Sequence, residues 1–150
     1  MLSRNQKWSL SQVIFLLTII FIPFKIRINL PSVIRYLGIS FMVIGIGLAS
    51  YAVISLESNL KPSPRPRAGG SLITTGLYSI VRHPAYSGIL LAALGASLWM
   101  DDLIRIFLTV GLFVFFNVKS SIEESWLEKT YPDYVEYKKR ITRKFIPWIY

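Results

Sequence analysis

The stretch Ala96-Ser-Leu-Trp-Met-Asp-Asp-Leu-Ile-Arg-Ile-Phe-Leu108 places two aspartates between two apolar runs, residues 85–100 and 103–118. Each run is shorter than the ~20 apolar residues that a helix usually needs to span a bilayer. Apolar helices joined by so short a polar break fold back on each other as an antiparallel pair. The sequence therefore predicts a helical hairpin over residues 85–118 that turns at Asp101-Asp102 and is short for a full crossing.

Two further apolar runs precede the hairpin, at residues 8–24 and 33–56. The second is long enough to cross a bilayer, and the first is close to the lower limit of ~17 residues. Arg4 and Lys7 give the first run the start of a secretory signal, but no small-residue cleavage pattern follows it, so we expect a retained helix. We predict an all-α integral membrane fold with about four transmembrane helices and a short helical tail in the cytoplasm.

The composition indicates that lipid is the main solvent of this chain. Of its 150 residues 53% are hydrophobic, and it has 17 Lys and Arg against 8 Asp and Glu. A water-soluble domain this apolar would expose large sticky patches, whereas a basic excess beside apolar runs suits the anionic surface of a membrane. Because the charges form no separate basic domain, we expect membrane lipids and not nucleic acid as partners.

Few residue types are available for metal or thiol chemistry. The chain has no cysteine, which excludes disulfides, thiolate catalysis and Cys-ligated metals. Its one histidine, His83, cannot by itself form a multi-histidine metal site. We therefore predict no metal site.

The positions of Lys and Arg predict which side of the membrane each segment occupies. With both termini in the cytoplasm, 13 of the 17 cations lie on the cytoplasmic side, and Lys25, Arg27, Arg35 and Arg105 lie outside or at the outer edge. We expect one domain in the cell inner membrane. Its parts are two N-terminal transmembrane helices over residues 1–56, a cytoplasmic loop over 57–84 that holds Lys61-Pro-Ser-Pro-Arg-Pro-Arg-Ala-Gly-Gly70, the hairpin over 85–118 and a cytoplasmic tail over 119–150.

The tail is charged and aromatic. Residues 123–129 are predicted to be helical, and Pro132 ends or bends that helix. A second helix over residues 133–143 would carry Tyr134 and Tyr137 on one face. The aromatic residues within 145–150 suit a membrane interface.

Small residues recur along the second and third apolar runs. Gly88, Ala92 and Ala96 are spaced every four residues, and Gly45-Ile-Gly47 lies in the second run. Small side chains let helix backbones approach closely in lipid, so helix packing is the main interpretation. A second interpretation is that Gly45 and Gly47 make room for a ligand against the backbone.

Two charged pairs flank the hairpin. Arg82-His83 comes just before it, and Glu123-Glu124 comes just after it. Because the two ends of a hairpin return to the same face, these pairs are expected to be neighbours in space. Such a cluster is either a salt-bridge network that holds loop to tail or a functional site at the membrane surface.

At these residues the chain resembles a known family. Its motifs follow one another as in the isoprenylcysteine carboxyl methyltransferases: Gly76-Leu-Tyr-Ser-Ile-Val-Arg-His-Pro-Ala-Tyr-Ser-Gly88, a hairpin, Glu123-Glu124-x-x-Leu127, Tyr134-x-x-Tyr137-Lys-Lys-Arg140 and Pro147. The related phospholipid N-methyltransferases have a similar His/Asn-Pro-x-Tyr, a Glu-Glu pair and an earlier Gly-x-Gly that resembles Gly45-Ile-Gly47. The resemblance covers residues 70–147, about half of the chain.

The resemblance implies an S-adenosylmethionine-dependent methyltransferase that acts on a lipophilic small molecule or a lipid-linked acceptor. The cofactor-binding positions that it implies are Gly76, Leu77, Tyr78, Arg82, His83, Pro84, Tyr86, Glu123, Glu124, Leu127, Tyr134 and Tyr137. The catalytic candidates are His83, Glu123, Glu124, Asn117 and Lys119. The residue types agree with this ligand, because Arg and His donate to a carboxylate and Glu accepts from an ammonium or a hydroxyl.

One segment departs from the family pattern. The eukaryotic members carry arginines just before the paired glutamates, where this chain has Asn117-Val-Lys-Ser-Ser121. Lys119 would replace one such cation. The reacting group of the acceptor therefore stays open among a carboxylate, an amine and a thiol.

Two other functions remain open from the sequence. Sterol and steroid reductases share a similar Arg-His-Pro-x-Tyr segment, which makes an NADPH-dependent membrane reductase the second enzyme hypothesis. The third hypothesis is a non-enzymatic lipid-binding membrane protein whose charges anchor it at the bilayer surface. Binding of S-adenosylmethionine or of NADPH distinguishes the three.

Overall fold

The computed structural model of the protein describes residues 4–56 and 72–147. Within these ranges the chain is helical, apart from its turns, loops and one isolated bridge between Arg27 and Asp102, which confirms the predicted all-α fold there. The elements are α1 (Arg4–Phe21), α2 (Ser32–Ile54), a 3-10 helix (Gly76–Ser79), α3 (Pro84–Trp99), α4 (Leu103–Thr130) and α5 (Tyr134–Arg140).

The predicted hairpin consists of α3 and α4, which pack against each other. Asp101 adopts a φ of 55°, in the left-handed region that Asp tolerates better than most residues. Asp102 is the N-cap of α4, where its Oδ1 accepts a hydrogen bond from the backbone nitrogen of Ile104 at 3.1 Å. The two aspartates thus end one helix and begin the next.

The same turn also anchors α1. Arg105 forms a buried ion pair with Asp102 and donates hydrogen bonds to the carbonyl oxygens of Ile19 and Ile22, both at 3.0 Å. These carbonyls lie at the C-terminal end of α1, where a helix leaves its last acceptors unpaired. Arg105 was predicted at the outer edge, and the structure shows that its side chain is enclosed by protein at that end.

Glycines set the close contact between α2 and α3. A Cβ atom built on Gly45 would lie 2.4 Å from the backbone nitrogen of Ala92, and one on Gly88 would lie 2.4 Å from that of Ala49. The close approach favours helix packing as the role of Gly45, and the ligand interpretation of this residue is not supported. Gly47 differs, because a Cβ there would have no neighbour within 4 Å.

The helix α4 extends further than its apolar run. It begins at Leu103, as predicted, but it continues without a break past residue 118 through Glu123 and Glu124 to Thr130. The predicted division between a hairpin ending at residue 118 and a separate tail therefore falls inside one helix. The last turns of α4 thus carry the acidic pair on the same continuous helix as the apolar segment.

Two helices are long and apolar enough to cross a membrane, α2 and α4, while α1 and α3 are apolar but shorter. Large apolar side chains lie exposed on the outer surfaces of the helices, including Val33 at 69% and Phe107 at 68%. Water would make such surfaces aggregate, whereas lipid covers them. The number of spans stays a prediction.

The chain after α5 returns to the start of α3. The backbone nitrogens of Arg82 and His83 donate to the carbonyl oxygens of Arg143 and Lys144, both at 3.0 Å. Phe145 is 1% exposed and belongs to the core, so the prediction that it lies at the membrane interface is wrong. The predicted loop segment 61–70 and residues 148–150 lie outside the described residues.

Candidate functional site

The site begins at the N-terminus of α3. His83 is the N-cap residue, and Pro84 occupies the first helical turn, where its missing amide hydrogen costs nothing. Pro84 is buried, and its ring fixes the direction in which the helix starts. The side chains of Arg82 and His83 are thereby directed towards the last turns of α4.

Glu124 is the centre of the charged cluster. Its Oε1 accepts hydrogen bonds from Arg82 Nε at 2.8 Å and lies 3.1 Å from His83 Nε2. Lys138, on α5, approaches the other oxygen at 3.2 Å. The side chains of Glu124, Arg82 and His83 are all less than a tenth exposed. The predicted convergence of the two charged pairs is confirmed.

Arg82 also ties the cluster to the returning chain. Its Nη1 donates to the carbonyl oxygen of Ile141 at 2.7 Å and to that of Thr142. Its Nη2 donates to no atom among residues 4–56 and 72–147. The guanidinium therefore has a structural role in joining the cluster to the returning chain.

Glu123 is held by a different set of groups. Both of its carboxylate oxygens accept from the Tyr86 hydroxyl, at 2.7 and 2.8 Å. The Tyr86 ring is stacked between His83, at a centroid distance of 5.5 Å, and Phe116, at 4.3 Å. Three parallel rings thus form the apolar wall of the cluster and fix both glutamates relative to His83.

Lys119 and Asn117 lie deeper on α4, towards its apolar part. The ammonium of Lys119 lies 3.7 Å from Glu123 Oε1 and 5.2 Å from the centroid of the Tyr86 ring, and it donates to Gln12 Oε1 of α1. Asn117 Nδ2 donates to the carbonyl oxygen of Phe113, one turn earlier on the same helix. Lys119 therefore joins the cluster directly, while this contact of Asn117 is within its own helix.

Aromatic residues of the tail form a second, apolar group beside the charges. Tyr134 and Tyr137 are buried with ring centroids 5.6 Å apart, and Leu127 packs against them. The Tyr137 hydroxyl donates to the carbonyl oxygen of Tyr78 at 2.7 Å, and the Tyr78 hydroxyl donates to that of Ala52 at 3.2 Å. Burial, with the charge of Glu123 adding to it, raises the pKa of Tyr78 to about 12.

The hydroxyl of Tyr134 is the exception in this group. It is buried, and no atom of the described residues accepts or donates a hydrogen bond to it. Burial and the nearby carboxylate of Glu124 raise the pKa of Tyr134, so the phenol is neutral. A buried hydroxyl without a partner costs about 1–3 kcal/mol, which points to a bound group that completes it.

Gly76 and Leu77 lie in the 3-10 helix. Gly76 adopts a φ of 59°, a left-handed conformation that glycine reaches without steric cost. The backbone conformation alone therefore accounts for a glycine at this position. The carbonyl oxygen of Leu77 accepts from the backbone nitrogens of Ile80 and Val81 and so closes this helix. The conformation of Gly76 and the hydrogen bonds of Leu77 determine the path of the backbone from the 3-10 helix to Arg82.

Sequence reasoning missed three residues of this region. Phe116 and Phe145 surround Tyr86, and Gln12 reaches Lys119 from α1. Phe116 lies eight residues before Glu124, a helical spacing that could have placed it on the same face. The position of Gln12 depends on where α1 docks, which the sequence does not reveal.

Residues 33–134 match the model of the phospholipid methyltransferase family. This segment covers more than half of the chain, and the protein therefore belongs to this family. It includes both charged pairs and Tyr134, and the predicted family resemblance is confirmed.

Curated relatives carry more specific names. The protein-S-isoprenylcysteine O-methyltransferase of Schizosaccharomyces pombe is 30% identical over 115 residues, which cover 73% of this chain and 48% of that protein. A probable protein-S-isoprenylcysteine O-methyltransferase of Oryza sativa subsp. indica is 29% identical over 112 residues, 72% of this chain and 59% of that protein. The chain thus spans about half the length of the curated relatives it matches.

A solved structure shares the fold. The eukaryotic intramembrane Ras methyltransferase, isoprenylcysteine carboxyl methyltransferase, superposes with a TM-score of 0.70 over 99% of this chain and 55% of that chain, at 21% identity. The exposed apolar helices and this shared fold indicate that the protein is an integral membrane protein.

Proposed function

We propose that the protein is an S-adenosylmethionine-dependent methyltransferase that acts at the membrane on a lipophilic acceptor. The observation that carries the proposal is the buried cluster of Arg82, His83, Glu123 and Glu124, which lies inside the segment that matches the phospholipid methyltransferase family. The relatives named protein-S-isoprenylcysteine O-methyltransferase support the same reaction class.

The groups at the site fit the polar parts of S-adenosylmethionine. The Nη2 donors of Arg82, which have no acceptor within residues 4–56 and 72–147, suit its carboxylate. Glu123 and Glu124 suit its ammonium and ribose hydroxyls. The unpartnered hydroxyl of Tyr134 gives a further polar contact. Leu127 and Tyr137 supply an apolar surface next to it, as an adenine ring requires.

The cofactor, when bound, supplies an activated methyl group on a sulfonium, so the protein need not generate a nucleophile of its own. The residues of this chain then bind, orient and exclude water. The rings of His83, Tyr86 and Phe116 stack on one another, and the Tyr86 hydroxyl orients Glu123 through hydrogen bonds to both of its oxygens. His83, Glu123 and Glu124 are the candidates for accepting a proton if the acceptor carries one.

The acceptor is proposed to enter from the lipid. The cluster lies at the end of the apolar part of α4, so a lipid-soluble substrate can approach between helices while a water-soluble ligand approaches from the tail. An isoprenylcysteine carboxylate, as in the names of the relatives, and a phospholipid amine are the first acceptors to test, followed by a lipophilic thiol. The proposed orientation places this end of α4 in the cytoplasm.

The proposal is tested with purified protein, methyl-labelled S-adenosylmethionine and a bacterial total lipid extract supplemented with S-farnesylcysteine. We expect the label in a lipid-soluble product, which mass spectrometry identifies by one added methyl group. The control is protein heated until it unfolds. Binding of NADPH without any binding of S-adenosylmethionine would instead favour a reductase, and binding of neither would favour a non-enzymatic membrane protein.

A further inference from the structure

Lys119 is a cation in an unusual place. It lies one helical turn before Glu123 on α4, about 6 Å further into the apolar part of the helix. Its side chain is 7% exposed, and its neighbours along the helix include Phe115 and Phe116. A charged group in such surroundings is costly unless protein groups compensate it.

Three groups surround the ammonium of Lys119. Glu123 supplies a negative charge at 3.7 Å, and Tyr86 presents its ring face at 5.2 Å. Both of these groups belong to the charged cluster itself. The third group, Gln12, accepts a hydrogen bond from the ammonium and comes from α1.

Gln12 lies where the polar first half of α1 gives way to its apolar second half. The residues that follow it are Val13, Ile14 and Phe15, and the helix packs against α4 through apolar side chains such as Phe15 and Ile19. A half-buried amide at the start of this apolar segment is favourable only where its polar atoms have partners. Gln12 also lies outside the segment of residues 33–134 that matches the family, so the family match assigns it no role.

We infer that Gln12 is a positioning residue for the proposed methyl transfer, and this inference rests on the proposed function. Its oxygen holds the ammonium of Lys119 between Glu123 and the ring of Tyr86. Without that oxygen the flexible lysine side chain is free to leave this position, and Glu123 and Tyr86 lose a fixed neighbour. The effect falls on the membrane side of the cluster, where the acceptor approaches, and not on the side of Arg82.

Three variants test the inference. Gln12→Met keeps the length of the side chain and removes the acceptor oxygen, Gln12→Glu keeps an acceptor oxygen, and Ser11→Ala changes an exposed neighbour on the same helix. Methyl transfer from labelled S-adenosylmethionine to S-farnesylcysteine in the bacterial total lipid extract gives kcat. Calorimetry gives the dissociation constant of S-adenosylmethionine for the same preparations.

We expect Gln12→Met to lower kcat by about tenfold, in line with the loss of one hydrogen bond to a charged group. Its dissociation constant for S-adenosylmethionine should stay within about threefold of the wild-type value, because Glu123 keeps both hydrogen bonds from Tyr86 and Glu124 keeps its contacts with Arg82 and His83. Gln12→Glu should recover most of kcat, and Ser11→Ala should match the wild type. Unfolding temperatures of all the proteins check that each rate refers to folded protein.

Several results would overturn the inference. An unchanged kcat in Gln12→Met, an equal loss in Gln12→Met and Gln12→Glu, or a parallel loss of cofactor affinity each contradicts a positioning role for the oxygen. If Gln12→Met does not fold, Gln12→Glu decides the matter, since its kcat must then stay within about threefold of the wild type for a conserved acceptor oxygen. A wild-type protein that transfers no methyl group contradicts the proposed function and the inference together, and that failure is visible before any variant is made.

Discussion

At the scale of single residues, each buried polar side-chain atom within residues 4–56 and 72–147 has a hydrogen-bond partner, except the hydroxyl of Tyr134. Glu124 contacts Arg82, His83 and Lys138, and Glu123 contacts Tyr86 and Lys119. Buried polar groups in folded proteins nearly always form hydrogen bonds, so the Tyr134 hydroxyl, which forms none, is informative. Its position next to the charged cluster makes it a direct probe for a bound ligand.

Tyr134 and Tyr137 therefore form a matched pair for mutation. Tyr137→Phe removes the hydrogen bond to the carbonyl oxygen of Tyr78 and should lower the free energy of unfolding by about 1 kcal/mol. Tyr134→Phe removes a hydroxyl without a partner, so the ligand-free protein should keep its stability or gain some. Chemical unfolding in detergent measures both changes.

The same pair separates stability from binding. We expect Tyr134→Phe to weaken S-adenosylmethionine binding, by roughly fivefold for one hydrogen bond. A Tyr134→Phe protein that is as destabilised as Tyr137→Phe would mean that the Tyr134 hydroxyl has a partner within the protein. Unchanged cofactor affinity in Tyr134→Phe would remove that hydroxyl from the proposed site.

Residue spacing allowed part of this site to be predicted. The convergence of Arg82-His83 with Glu123-Glu124 follows from a hairpin and needs no other knowledge of the fold. The contact of Gln12 with Lys119 depends on the docking of α1, 107 residues away along the chain. Phe145 was assigned to the membrane interface because aromatic side chains suit both an interface and a core, and composition does not distinguish the two.

At the scale of the helices, two different kinds of contact stabilise the fold. Glycines bring α2 and α3 into backbone contact, while the Asp101-Asp102 turn and Arg105 attach α1 to the other end of α4. The spacing of small residues predicted the first contact at Gly88. Gly95, which that spacing did not include, makes a similar close approach, because a Cβ atom built on it would lie 2.4 Å from the backbone nitrogen of Met42. The attachment of α1 through Asp102 and Arg105 was not predicted, because their partners are backbone groups at and after the end of α1, whose position depends on how α1 packs.

Gly45 and Gly47 provide a test of the α2–α3 contact. Gly45→Ala places a methyl group against the α3 backbone and should destabilise the protein by about 1–3 kcal/mol. Gly47→Ala faces open space and should be neutral or stabilising by up to about 1 kcal/mol, since Ala favours a helix. Unfolding curves of the two variants in the same detergent give the difference. Equal effects of the two substitutions would contradict the packing described for α2 and α3.

At the scale of the whole molecule, α4 connects the membrane to the site. It carries apolar side chains along most of its length and the two glutamates near its end, so the depth of the site is fixed by the helix itself. The tail then returns through Arg143 and Lys144 and encloses the cluster from the other side. Under the proposed function, a lipid-soluble acceptor and a water-soluble cofactor would meet at this end of α4.

This arrangement predicts the sidedness of the chain. With both termini in the cytoplasm, Lys139 on α5 faces the cytoplasm and Lys25 after α1 faces the opposite side. The chain has no cysteine, so Lys25→Cys and Lys139→Cys each introduce a single reactive thiol. In intact cells a membrane-impermeant maleimide should label the first variant and not the second. Labelling of the second variant alone would invert the proposed orientation.

The central claim is that the cluster around Glu124 binds S-adenosylmethionine. Titration calorimetry of the wild type, Glu124→Gln, His83→Ala and the control Glu128→Gln tests it most directly, because Glu128 is a more exposed glutamate on the same helix. We expect both cluster variants to lose at least about tenfold in affinity while remaining folded, since each removes a buried polar contact. The control should bind as the wild type does. Equal affinities in all four proteins, or no binding by the wild type, would contradict the claim.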